Sequence, residues 1–225
     1  MKNTLSNTVR FCPDIGLWAI DRPESSCVHK TEFCAATCYN LKLYDMYGDK
    51  AGKYGKGMRS KDIRSEEAWI DNDAGELAIA LGRKRKGSKF RFRLMTRGEA
   101  ISSFDDIARI ANIAKELPNY QIWLPTRSWR NPILFAATQN ELKKYPNIII
   151  QASMDPSNIA DEWEHVKNLG LGTMFYGDDD MEYTPNGDRV FKCPKTHKHL
   201  KGHCAICKGG CFNTTKPVNV HLCQH

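Results

Sequence analysis

The sequence predicts an α/β fold, a partial or small (βα) barrel, carrying a cysteine-rich, metal-bound C-terminal tail. Three observations lead there. The middle of the chain alternates short apolar runs with amphipathic stretches, at a spacing that makes βαβ units and a parallel sheet. The nine cysteines avoid that middle: four lie in the first 38 residues, five in the last 33, and none in the 154 between. The length, 225 residues, suits one such domain with a small appendage. The expected division is 1–182 for the barrel-like domain and 183–225 for the Cys/His-rich tail.

Each element has its own signal. Ser65 to Leu81 carries Ala68, Trp69, Leu77, Ala78 and Leu81 at helical spacing, with Gly75 as a weak point. Phe90 to Met95 reads as a strand. Ser103 caps a helix from Phe104 to Leu117 with Ile107, Ile110, Ala111 and Ala114 on one stripe, closed by Pro118. Gln121 to Leu124 is a strand that Pro125 ends. Asn131-Pro132 opens a helix through Leu142. Asn147 to Ala152 is a β-branched run, and Asp155-Pro156-Ser157 leads into a helix through Leu169. Thr173 to Tyr176 is the last expected strand. From Tyr183 the alternation stops, and His197, His199, His203, Cys204 and Cys207 sit among Lys and Gly, too polar for a core. Such a tail folds around metal or lies across the barrel.

Composition narrows the function. The net charge of +7 is uneven. Gly82 to Arg93 holds seven basic residues and no acid, Lys50, Lys53, Lys56, Arg59, Lys61 and Arg64 form a second basic tract, and Asp178, Asp179 and Asp180 collect acid. Basic tracts of this kind are more often solvated loops than nucleic-acid footprints, and nucleic acid stays open as a partner. The start of the chain has no apolar h-region and the chain has no membrane-length run, which points to the cytoplasm and away from a membrane. Disulfides suit small secreted chains, whereas this chain can bury a core and its cysteine count is odd. The cysteines therefore read as metal ligands.

Their spacing divides them into two sets. Cys27, Cys34 and Cys38, followed by Tyr39, form C-x6-C-x3-C-Y, and Cys193, Cys204, Cys207 and Cys211 form C-x10-C-x2-C-x3-C. Three thiolates leave one metal position open, while four close a site. Zinc held by the first set with His29 is a rival, although C-x6-C is wide for a zinc knuckle. The second set suits a 4Fe–4S cluster or zinc. Cys12 and Cys223 read as spare or buried thiols. Ligands of parallel α/β sheets bind beyond the carboxyl ends of the strands. Those ends carry Thr96-Arg97-Gly98-Glu99, Thr126-Arg127-Ser128, and Gln151, Ser153 and Asp155. Arg91 and Arg93 alternate with Phe90, Phe92 and Leu94, so both guanidinium groups share one face; turned inward, they favour an anionic substrate or a cofactor carboxylate. Trp123 and Trp129 read as packing residues. The bland readings are loop polarity for the strand-end groups and a helix N-terminal charge for Glu99.

An early three-cysteine loop, a strand ending in Gly98-Glu99 and a train of βα units together resemble the radical-SAM superfamily. More closely, the chain resembles the phage gene product 88 family of short proteins with a Cys…Cys…Cys-Tyr loop and a Cys-rich tail. Arg93 to Glu99 and Trp123 to Trp129 carry much of that likeness. The superfamily resemblance implies a 4Fe–4S cluster on Cys27, Cys34 and Cys38 and S-adenosylmethionine (SAM) at the open iron. It places Gly98 and Glu99 in the motif that receives the SAM amino group, with Tyr39, Thr126, Arg127, Ser128, Gln151 and Ser153 as further SAM contacts. It also implies an electron donor such as flavodoxin or ferredoxin, and radical chemistry on a nucleotide, nucleic acid or peptide. Two departures stand out: the usual loop is C-x3-C-x2-C with an aromatic before the third cysteine, and Arg97 replaces the motif's first glycine. The phage family supplies no substrate. Two other expectations stay open: a non-catalytic, metal-stabilised nucleic-acid-binding protein, and an iron–sulfur redox or sensor protein.

Overall fold

The structure, a computed structural model, describes residues 9–13, 15–47, 57–71, 77, 81, 90–178, 180–197, 200, 202–213 and 215–223. Gly75, Ala78, residues 82–89 of the basic tract, Lys50, Lys53, Lys56, Asp179 and His199 lie outside them.

The strands are β1 (Arg10–Cys12), β2 (Leu17–Ile20), β3 (Arg91–Leu94), β4 (Gln121–Thr126), β5 (Ile148–Met154), β6 (Gly172–Gly177), β7 (Val190–Lys192) and β8 (Asn219–Cys223). They form one sheet in the order β1-β2-β3-β4-β5-β6-β8-β7. Only the β1–β2 pair is antiparallel; β2 through β6 run parallel, as strand–helix alternation demands. The helices are α1 (Glu32–Ala36), α2 (Tyr39–Tyr47), α3 (Met58–Asp71), α4 (Phe104–Glu116), α5 (Pro132–Leu142) and α6 (Ala160–Asn168). Ser103 forms a capping box with Asp106 at the start of α4, and Asn131 caps α5 ahead of Pro132. No helix among the described residues is long and apolar enough to cross a membrane.

The sheet's pleat assigns its two faces. Phe92, Leu94, Ile122 and Leu124 pack against Trp69, Ile107, Ile110, Ala111 and Leu134 of the helices. Ala152, Met154 and Phe175 continue that layer against Phe135, Trp163 and Val166. On the opposite face Leu17 and Trp123 meet Phe212, with Met174, Cys204 and Cys211 packed beside them. Helices therefore cover one face, and the cysteine-rich tail covers the other.

Two expectations change here. The strands do not end at Tyr176: the tail adds β7 and β8, and β8 inserts between β6 and β7, parallel to both. Nor does Pro125 end β4, which pairs through Pro125↔Gln151 to Thr126↔Ala152. Along β4 the Gln121 amide points to β3 and the Ile122 amide to β5. The missing Pro125 N–H therefore falls on the β3 side, beyond the last register pair, Arg93↔Trp123.

Candidate metal and cofactor site

The three N-terminal thiols lie beyond the carboxyl ends of β2 to β5. Cys27 closes a 3-10 turn over Glu24–Ser26, Cys34 lies in α1, and Cys38 directly precedes α2. All three are partly buried. Burial, followed by the charges of Glu99, Cys34 and Cys38, pushes the Cys27 thiol up to about 12. Burial also raises Cys34, aided by Cys38 and Asp155 and opposed by the Arg127 guanidinium, which bonds its sulfur. Thiols that resist ionisation because they are buried beside one another give up their protons readily only to a bound cation.

Glu99 is the hub beside them. Its Oε2 accepts the Arg127 amide at 2.8 Å; its Oε1 accepts the Thr126 hydroxyl at 2.8 Å and the Ile101 amide at 3.1 Å. The carboxylate thus ties the end of β3 to the end of β4. Burial pushes its pKa up, against the pull of these donors. The Glu99 amide donates to Ser26 Oγ at 2.9 Å, which seats the residue next to Cys27. Gly98 makes the close approach feasible: at φ +77°, a Cβ there would meet the Arg22 carbonyl oxygen at 2.6 Å.

Arg127 reaches across the site to Asp155 at 2.8 Å and to the Ser153 carbonyl at 3.4 Å. Asp155 accepts from Thr31 Oγ1 at 2.5 Å, and Thr31 caps α1 by accepting the Cys34 amide at 3.0 Å. One polar chain therefore runs from β5 to the second cysteine. Burial opposes ionisation of Asp155, but Ser157, Thr31 and Arg127 together hold it below the usual carboxylate range. Thr126 Oγ1 also accepts the Ser128 amide at 3.0 Å. Gly98, Glu99, Thr126, Arg127, Ser128 and Ser153 are thus gathered around the thiols. Tyr39 begins α2 and is exposed. Gln151 is elsewhere engaged, accepting from Trp123 Nε1 at 2.7 Å and donating to the Val218 carbonyl at 2.8 Å. Arg97, in the first-glycine position of the motif, pairs with Asp62 at 2.6 Å and Asp21 at 3.0 Å.

The tail cysteines form a second gathering on the other face of the sheet. Burial, then Cys193, Cys207 and Cys12 against the opposing Arg93, pushes Cys204 up to about 11. Cys211 is pushed up further by burial and by Cys193 and Cys204. Cys12, read from sequence as a spare thiol, is therefore close enough to act on Cys204. Arg91 Nη1 donates to the carbonyls of Cys204 and Cys207, both at 2.8 Å, and its guanidinium lies 5.0 Å from the Phe212 ring centre. Arg93 stacks 4.4 Å from the Trp123 ring centre and donates to the Met95 carbonyl. Both arginines thus face the tail, one clasping its knuckle by the backbone and the other facing its thiols. The Gly209 amide donates to Cys207 Sγ at 3.2 Å, a bond that suits a thiolate ligand.

Sequence reasoning passed over Ser26 and Thr31, which seat two of the thiols. Thr31 had a signal, a threonine three residues before Cys34 in N-cap position. Ser26 had none, because its partner Glu99 lies 73 residues away.

Fold and site together define a cysteine-rich α/β protein with one set of thiols beyond the carboxyl ends of a largely parallel sheet and a second on its tail-covered face. The chain belongs to the gene product 88 family, whose model matches residues 3–215. No curated protein and no solved structure matches it.

Proposed function

We propose that this is a phage-type iron–sulfur protein resembling radical-SAM enzymes, binding SAM at an open cluster iron held by Cys27, Cys34 and Cys38. The observation that carries this is the convergence of three thiols on Glu99 and Arg127 at the carboxyl ends of parallel strands, where such folds place ligands. The donor set fits the group. The thiols are soft ligands, and burial holds Cys27 and Cys34 against ionisation until a cation binds.

When bound, the cluster and SAM supply reductive cleavage of SAM to a carbon radical, with flavodoxin or ferredoxin as the donor class. The chain's own work is binding and orientation. Glu99, already oriented by Ile101, Thr126 and Arg127, would be the carboxylate that receives the SAM amino group. Arg127, fixed by Asp155, sets positive charge beside Cys34. Thr126, Ser128 and Ser153 supply the polar wall, with Tyr39 as an outer contact. In this proposal the sheet is a partial barrel, residues 1–182 house the open site, and residues 183–225 hold a second 4Fe–4S cluster or zinc on Cys193, Cys204, Cys207 and Cys211. The compartment is the host cytoplasm, and the substrate class is a nucleotide, a nucleic acid or a peptide.

Anaerobic purification with iron, sulfide and zinc counting tests this. Replacing Cys27, Cys34 and Cys38 with alanine should remove about four irons, the content of one 4Fe–4S unit. SAM should alter the electron paramagnetic resonance of the reduced protein, and dithionite should yield 5′-deoxyadenosine. Zinc without sulfide at this site would overturn the proposal. Salt-dependent nucleic-acid binding with no response to SAM would replace it with a binding protein.

A further inference from the structure

We propose that His197, His221 and Cys223 form a separate site for a zinc-type divalent cation, distinct from both cysteine sets. One ligand atom from each of the three lies within 4.8 Å of the others, which is the reach of a single ion. His221 and Cys223 are two apart on β8 and so share a face of the strand. His197 comes from the loop after β7, its ring 5.0 Å from that of His221 and nearly perpendicular to it.

The imidazoles are already set as ligands. His221 Nε2 bonds the Gly177 carbonyl at 3.0 Å, and His197 Nδ1 bonds the Cys193 carbonyl at 2.9 Å. A carbonyl on one ring nitrogen fixes the tautomer and aims the other at a metal. His221 is completely buried, and its Nδ1 has no hydrogen-bond partner. A buried nitrogen left unsatisfied destabilises the fold, and a bound ion removes that cost. The backbone at Cys223 is held by its amide donating to Thr196 Oγ1 at 3.1 Å.

Two imidazoles and a thiol select a borderline-soft ion and reject calcium or magnesium. The fourth position is left to water, since Asp180, paired with Lys192 at 2.8 Å, lies outside the group. Binding replaces the Cys223 S–H bond by a zinc–sulfur bond and releases one proton to solvent. The ion would tie the β7–β8 loop to β8, the strand that seats β7 in the sheet.

The test is Zn2+ added to anaerobically purified, chelator-treated full-length protein, in competition with a chromophoric chelator. Cys223→Ser and His221→Asn should each bind one zinc fewer per chain, or bind it at least about tenfold more weakly. The iron and sulfide content should not change. Cys223 is only partly buried, so Cys223→Ser should keep the metal-free thermal midpoint while losing the rise that zinc produces. X-ray absorption of the bound zinc should show imidazole scattering. Equal zinc number and affinity in wild type and both variants, no zinc uptake at all, or a sulfur-only zinc environment would each overturn the site.

Discussion

Glu99→Gln replaces one acceptor oxygen by an NH2 and leaves the shape of the side chain unchanged. Three donors converge on the native carboxylate, from Arg127 N, Thr126 Oγ1 and Ile101 N. The cheapest arrangement of the amide keeps its oxygen on Thr126 and Ile101 and turns the NH2 toward the Arg127 amide. Two donors then face each other in a buried site and the Arg127 amide loses its acceptor, which costs about 1–3 kcal/mol whether or not Glu99 is charged. Relief of the buried charge offsets part of this, so the expected net loss of unfolding free energy is about 1–3 kcal/mol, read from urea unfolding with an unchanged m-value. A pH series gives the sign. Because burial raises the folded pKa of Glu99 above 4.5, its contribution to stability is fully present below 4.5 and fades as pH rises through the folded value. Glutamine has no such titration, so the deficit of the variant should be largest in acid and shrink toward neutrality. Equal stability of the two proteins across the series would refute the latch that joins β3 to β4, and a deficit that grows with pH would show that its donors outweigh burial at Glu99.

Two further expectations follow from other polar contacts of the fold. Arg91→Ala removes both bonds to the carbonyls of Cys204 and Cys207. It should cost about 1–3 kcal/mol at this partly buried position and speed protease cleavage within residues 202–213; unchanged cleavage would show the knuckle is held without it. Asp21, Asp106 and Asp155 are all depressed below 3.8 even though burial opposes it: by Arg97 and Arg10, by Arg22 and Trp69, and by Ser157, Thr31 and Arg127 respectively. Their contribution is present above the unfolded value and lost as pH falls through the folded ones. The thermal midpoint should therefore drop below about pH 4, and a midpoint flat from about pH 5 to 2 would count against these pairs.

Much of the site was legible because its signals are local. Ser103 and Asp106 announce α4, and the ends of β3 and β4 carry Glu99 and Thr126-Arg127-Ser128 in plain sequence. Pleat alone put Arg91 and Arg93 on one face. What they face, a cysteine loop more than 110 residues away, is not written near them. The unread strands are short: β1 and β7 have three residues each and β2 four, while β8 offers only Val220 and Leu222 in alternation with Asn219, His221 and Cys223. The network of Arg22 with Glu66, Ser102 and Asp106 was equally invisible, since each contact spans 44 residues or more. Gln151 looked like a strand-end ligand, but lies a turn of the pleat earlier than Ser153 and is used by Trp123 and Val218.

The position of β8 also bears on how the chain reaches its fold. Among the described residues β7 pairs with β8 and with no other strand, and β8 docks on β6 through registers such as Met174↔Val220. A ribosome therefore releases β7 some thirty residues before the partner it needs, while β2 through β6 already have theirs. The loop closed by that pairing is long, and its entropy must be met before any contact rewards it. The helix-covered half of the sheet can thus assemble early, with the tail-covered half left as the slow step. A chain-length series arrested on the ribosome would show that order as late protection of residues 190–192.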